Sequence, residues 1–143
     1  MADGLEDGRQ ADPPIRDRGD TMLMTTVLVV FLMIGAFALI SAGEAWATRR
    51  DVQATAQAAA RAAVQVSAEE VRGGVAIDPG MASARAAEVA SASGYTATVS
   101  VSGTSVTATV TGAVEYAFGG AGFPSSMTAT ATATVERGVF AGG

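Results

Sequence analysis

From Met22 to Ala42 the chain runs 21 residues without a charged side chain. At the rise of an α-helix this is roughly 30 Å, the thickness of a bilayer's hydrocarbon core. No Pro interrupts the chain immediately after it, and the sequence passes into Ala-rich helical periodicity as far as Arg72. The predicted unit is one long helix: a membrane span over 22–42, then an amphipathic Ala-rich continuation over 43–72. Beyond it lie a folded stretch over 73–137 and a C-terminal tail over 138–143. Of 143 residues, few remain for anything larger than one small domain.

A cleaved secretory signal would carry a net positive n-region and a shorter apolar core. Here the preceding stretch holds six acids (Asp3, Glu6, Asp7, Asp12, Asp17, Asp20) against Arg9, Arg16 and Arg18. The run is therefore read as a retained anchor. Counting Arg near the two ends does not decide its orientation, since Arg49, Arg50, Arg61 and Arg72 balance those before it. The flanks do lean one way. Residues 1–21, interrupted by Pro13-Pro14, read as a disordered tail, whereas the far side is foldable and Thr-rich. The expected placement is single-pass in the cytoplasmic membrane, N-terminus inside and C-terminal domain outside.

Past the span, Val52, Ala56, Ala59, Ala63 and Val66 recur at spacings of four and three residues, which puts them on one helix face. Such a stripe of small residues either packs on the chain's own domain or forms a close seam with a neighbouring subunit. Gly73-Gly74 ends the helix. Asp78-Pro79 then opens a second one, with Asp78 as N-cap and Pro79 at its first position, running to about Ser93 before Gly94.

The remainder alternates with period two. Tyr95, Ala97, Val99 and Val101 share one face of a first strand. Val106, Ala108, Val110, Val114, Tyr116 and Phe118 share one face of a second. After a Gly-rich loop from Gly119 to Pro124, a third strand alternates Thr128, Thr130, Thr132 and Thr134 with Met127, Ala129, Ala131 and Ala133. Three antiparallel strands with one apolar face need a helix to cover it. The expected class is α+β, with a small three-stranded sheet packed on the helices in a pilin-like arrangement.

Most catalytic chemistry is excluded by residue type, paired carboxylates being what remains. His, Cys and Lys are absent, all nine cations being Arg. That rules out a Ser-His triad, a thiolate nucleophile, a Schiff base and a thiolate metal site. Glu69 and Glu70 are helical neighbours that diverge, so they read as a solvated face and not as an acid/base pair. Gly119, Gly120 and Gly122 lead to Phe123-Pro124 with no Lys, a loop rather than a phosphate cradle. Arg18-Gly19-Asp20 matches a cell-adhesion tripeptide by chance. The net charge of −5 has no basic patch, which gives nucleic acid no footprint. No enzyme activity, cofactor or metal is expected.

Glu44 and Trp46 stand at the exit of the span. Trp suits the membrane interface. Glu44 can reach water, pair with Thr48 or with Arg49-Arg50, or fix register against a neighbouring subunit.

The order Arg18-Gly19, apolar span, Glu44, Trp46, Arg49-Arg50-Asp51-Val52-Gln53 and Ala58-Ala59-Ala60-Arg61-Ala62 resembles the TadE/TadG-like proteins of Tad (Flp) pilus systems. The downstream run from Ile77-Asp78-Pro79 through the Thr/Val strands is similar to the actinobacterial members. The resemblance implies a minor pilin-like or assembly protein in the membrane, partnered with lipid, other pilin-like subunits and secretion platform proteins, as a homo- or hetero-oligomer. It implies a candidate processing site at Gly19 and Asp20, and from the stripe and the span exit Glu44, Trp46, Val52, Ala56, Ala59, Ala63 and Val66 are candidate subunit contacts. Processed relatives carry a Glu five residues after the cut, where this chain has Met24. The uncleaved TadG-like members are thus the nearer pattern. A second functional class is a single-pass envelope protein with a small extracytoplasmic binding module unrelated to pili.

Overall fold

The computed structural model describes the backbone of residues 16–135 and the side chains of 19–135 other than 69, 70 and 72. The expected tail residues 1–15 and 138–143, and the Glu69 and Glu70 side chains, lie outside the described residues. The elements are α1 (Arg16–Arg72), α2 (Pro79–Ala92), β1 (Thr96–Ser102), β2 (Ser105–Ala113) and β3 (Ser126–Thr134). This is the α+β class expected: a long helix, a short helix and a three-stranded antiparallel sheet. One boundary moves. Helix begins at Arg16, so residues 16–21 leave the tail to which the sequence assigned them. Asp20, in the first turns of that helix, suits the positive end of a helix dipole.

Two compact units divide the chain, one ending at Ala38 and the other starting at Leu39. In the first, the apolar side chains of α1 are uncovered; Met22, Leu23, Leu28, Phe31 and Leu32 are all exposed. This helix is long and apolar enough to cross a membrane, and none of its most apolar stretch is buried. A core helix of a water-soluble protein would be covered instead. The hydroxyls of Thr25 and Thr26 donate to the carbonyls of Thr21 and Met22, at 2.8 and 2.9 Å. Those bonds satisfy polar groups that lipid could not.

In the second unit the sheet is a meander of order β1-β2-β3. Val99 faces Ala108 and Val101 faces Val106 across β1 and β2, while Ala108 faces Ala131 across β2 and β3. A two-residue turn joins β1 to β2, with Gly103 at φ 60° in its first central position, the arrangement of a type II′ hairpin. α2 is fixed at both ends. The Asp78 carboxylate accepts from Gly80 N at 2.6 Å and Met81 N at 3.3 Å. At the other end Tyr95 N reaches Ala90 O and Gly94 N reaches Ser91 O, both at 2.9 Å, with Gly94 at φ 76°. These bonds make a Schellman stop, for which Gly is suited.

The core gathers Val52, Ala56, Ala59, Ala60, Ala63 and Val71 from α1 with Ala82, Ala86 and Ala90 from α2. Val106, Ala108 and Val110 supply the sheet's share. Residues of 43–72 and of 73–135 therefore share one core. No fully buried side chain in it is larger than Val. The opposite face of the sheet is hydroxylated: Ser105–Thr134, Thr107–Thr132, Thr109–Thr130 and Thr111–Thr128 pair through their hydroxyls at 3.0–3.2 Å.

β2 is shorter than its alternation suggests, and this corrects the expected strand. Pairing stops at Ala113, so Tyr116 and Phe118 lie beyond the sheet. β1 has no residue to pair past Thr111, and the glycines at 119, 120 and 122 take positive φ that a strand cannot use.

Ser67 sits fully buried on α1 with its hydroxyl unpartnered. Ser67→Ala removes that group and improves helix propensity, and it should stabilise the fold by about 1 kcal/mol. Chemical denaturation of the full chain in detergent checks this; an unchanged or lower midpoint would mean that the hydroxyl has a partner.

The exit of the apolar run as candidate functional site

The apolar run ends at Ala42, and the side chains just after it are held by local and long-range contacts. Glu44 is half-buried. Its backbone carbonyl accepts the Thr48 hydroxyl at 3.0 Å, one helical turn on. Its carboxylate instead accepts the backbone N–H of Ala117, at 3.3 and 3.4 Å to the two oxygens. The helix thus grips the loop between β2 and β3. Ser41 and Ala45, on the turns beside Glu44, are buried, whereas Gly43 and Ala47 are exposed. Trp46 is 66% exposed, and the Arg50 guanidinium lies over its ring at 5.7 Å.

The gripped loop has its own frame. Val114 N donates to Ser125 O at 2.9 Å and closes its base. The Tyr116 hydroxyl donates to Pro124 O at 2.7 Å, and the Tyr116 and Phe123 rings pack 5.9 Å apart. Phe123 N donates to Gly120 O at 2.9 Å. Phe118 remains 59% exposed.

The candidate contact residues separate into two groups. Val52, Ala56, Ala59 and Ala63 are fully buried in the chain's own core, so they are closed to a neighbouring subunit. Val66, expected on the same stripe, is 36% exposed, and Ser67 takes the buried place. At about 100° per residue, Val66 falls roughly 40° behind Val52 and Ser67 roughly 60° ahead. The buried line drifts ahead along the helix, from Val52 through Ala56, Ala60, Ala63 and Ser67 to Val71. A spacing of four and three repeats every 3.5 residues and lags a 3.6-residue helix by about 20° in each seven, which is how Val66 falls behind the buried line. The candidate processing pair, Gly19 and Asp20, is helical and exposed in the first unit.

Sequence reasoning singled out Glu44 but not the partner that its carboxylate takes, Ala117, which is 73 residues away. No local pattern signals that bond. Among the described residues no cluster of three or more His, Cys, Asp or Glu could hold a metal.

No curated protein and no solved structure matches the chain. Residues 19–66, about a third of the chain and all within α1, match the family model described as putative Flp pilus-assembly TadE/G-like. That segment, which holds both the apolar run and the helix that enters the core, is similar to the TadE/G-like proteins of Flp pilus assembly.

Proposed function

We propose that this chain is a non-enzymatic, membrane-anchored subunit of a Tad-type pilus or secretion apparatus, acting as a pilin-like or assembly component. The match over residues 19–66 carries the reading. It covers an uncovered apolar helix that continues into an α+β domain, the build of a protein that is held in a bilayer while presenting a domain to other subunits. The partners are membrane lipid, other pilin-like subunits and the secretion platform, in a homo- or hetero-oligomer. Since the small-residue stripe is spent on the internal core, contacts with subunits fall to exposed positions, Val66 among them. Deleting the gene should abolish surface pili, or secretion through the apparatus, and the intact gene supplied in trans should restore them. Full piliation and secretion in the deletion strain would overturn the reading and favour an envelope protein unrelated to pili.

Two outcomes are expected of the native protein. The domain after Trp46 lies outside the cytoplasm, so protease added to intact spheroplasts should remove it and spare the N-terminal residues. Trimming before Thr21 with the domain protected would reverse the topology. The chain also stays uncut after Gly19, because Met24 stands where processed relatives carry a Glu. The acids and Arg residues before Gly19 would then stay at the membrane surface, where the cost of desolvating charge opposes entry into a filament core. Intact-mass measurement from native membranes checks this; a species beginning at Asp20 would indicate a processed pseudopilin.

A further inference from the structure

Glu44 lies two residues past the end of the apolar run, about 3 Å along the helix axis. Its carboxylate takes the N–H of Ala117, so the β2–β3 loop is tied to the helix at that level. If the run spans a bilayer, as the proposed function holds, the bond sets the depth of the loop in the headgroup region. Every residue from Tyr116 to Ser125 is uncharged. The loop is also braced, by the Tyr116 bond to Pro124 O and by the packing of Tyr116 on Phe123, so exposing Phe118 is not a by-product of slack chain.

We propose that the loop from Tyr116 to Ser125 is a membrane-interface platform, seated in the headgroup layer of the leaflet beside the domain and using Phe118 as its apolar contact. The chemistry of the layer fits. Aromatic rings favour the headgroup level, and Trp46 with Arg50 over its ring supplies an amphipathic aromatic and a cation for lipid phosphate on the same stretch of helix. The uncharged stretch from Tyr116 to Ser125 loses little on entering this layer, and the loop's one charge, the exposed Glu115, lies at its base beside the end of β2. With the helix and the loop both seated, the domain has two attachments to the bilayer, and swivelling about the helix axis is restrained.

The test uses the full chain reconstituted in phosphatidylcholine vesicles. The chain holds a single Trp, so the double variant Trp46→Phe/Phe118→Trp reports from the loop alone. Its emission should be quenched strongly by lipid brominated near the headgroup, weakly by lipid brominated deep in the acyl chain, and little by aqueous iodide. Adding Glu44→Ala should release the loop, with loss of bromine quenching and gain of iodide quenching. Strong iodide quenching before that change would overturn the proposal. Shielding from both quenchers would overturn it too, by showing protein over Phe118. Alkaline carbonate extraction of the same vesicles separates the two readings. Protein stripped from the lipid would refute the anchor itself, whereas retained protein with an iodide-accessible loop refutes only the platform. Because the chain has no Cys, Ala121→Cys carrying a nitroxide gives an independent depth by power saturation, and a water-like depth there would also overturn the proposal.

Discussion

Replacing Ala59 by Leu should destabilise the folded domain by about 1–3 kcal/mol, the usual cost of forcing extra methylenes into a filled core. Ala59 has no exposed surface and lies among Val and Ala side chains of the same cluster. The fully buried side chains of this core are no larger than Val, so moving one of them aside recovers little space. Ala63→Leu should behave alike. Ala58, exposed one position before it on the same helix, should accept Leu with a change within about 0.5 kcal/mol. Thermal melts of the full chain in detergent, following the loss of sheet, compare the three. A penalty of about 2 kcal/mol would lower the midpoint by roughly 8–16 °C for a domain near 100 residues. Equal midpoints for Ala58→Leu and Ala59→Leu would remove the packing argument.

Gly112→Ala should cost as much, for a different reason. A Cβ at Gly112 would lie 2.5 and 2.6 Å from two carbons of the Tyr95 ring and 3.0 Å from Val52 Cγ2. Real Cβ atoms do not approach carbon so closely, so the ring must move. Tyr95 follows the Gly94 stop of α2 directly, and its N–H is committed to Ala90 O. Its backbone cannot yield without opening the end of that helix. The expected penalty is about 1–3 kcal/mol. Combining Gly112→Ala with Tyr95→Ser should recover much of it, since the two side chains would no longer compete. A double-mutant cycle measures this coupling. Strict additivity would show that Gly112 is required for some property other than the space it leaves.

The elements themselves were legible because each has a local cause. The uncharged run, the Asp78-Pro79 cap, the glycines at 73, 74 and 94, and the period-two Thr pattern act within a few residues of their effects. Tertiary terms account for most of what the pattern missed. β2 stops at Ala113, where its pairing with the first residue of β3, Ser126, ends, although Val114, Tyr116 and Phe118 keep the alternation. Val66 leaves the buried line because a four-and-three spacing lags a 3.6-residue helix, and Ser67 takes the covered place. For the candidate site, the sequence identified Glu44 and Trp46 at the end of the run. It could not show that Glu44 grips Ala117 or that Tyr116 closes on Pro124, since such bonds exist only once the strands have paired.

The hydroxyl ladder has a consequence of another kind. On the face that it occupies, every residue of β1 and β3, and every one of β2 except Ala113, is Ser or Thr. Nothing on that face titrates, and nothing on it is screened by ions. A domain outside the cytoplasm, where the proposed topology puts this one, meets whatever acidity and salinity the surroundings impose, and charged surfaces change their partners when those conditions change. This face keeps the same hydrogen-bonding character in brackish, acidic or dilute water, so whatever rests against it meets a surface indifferent to the medium.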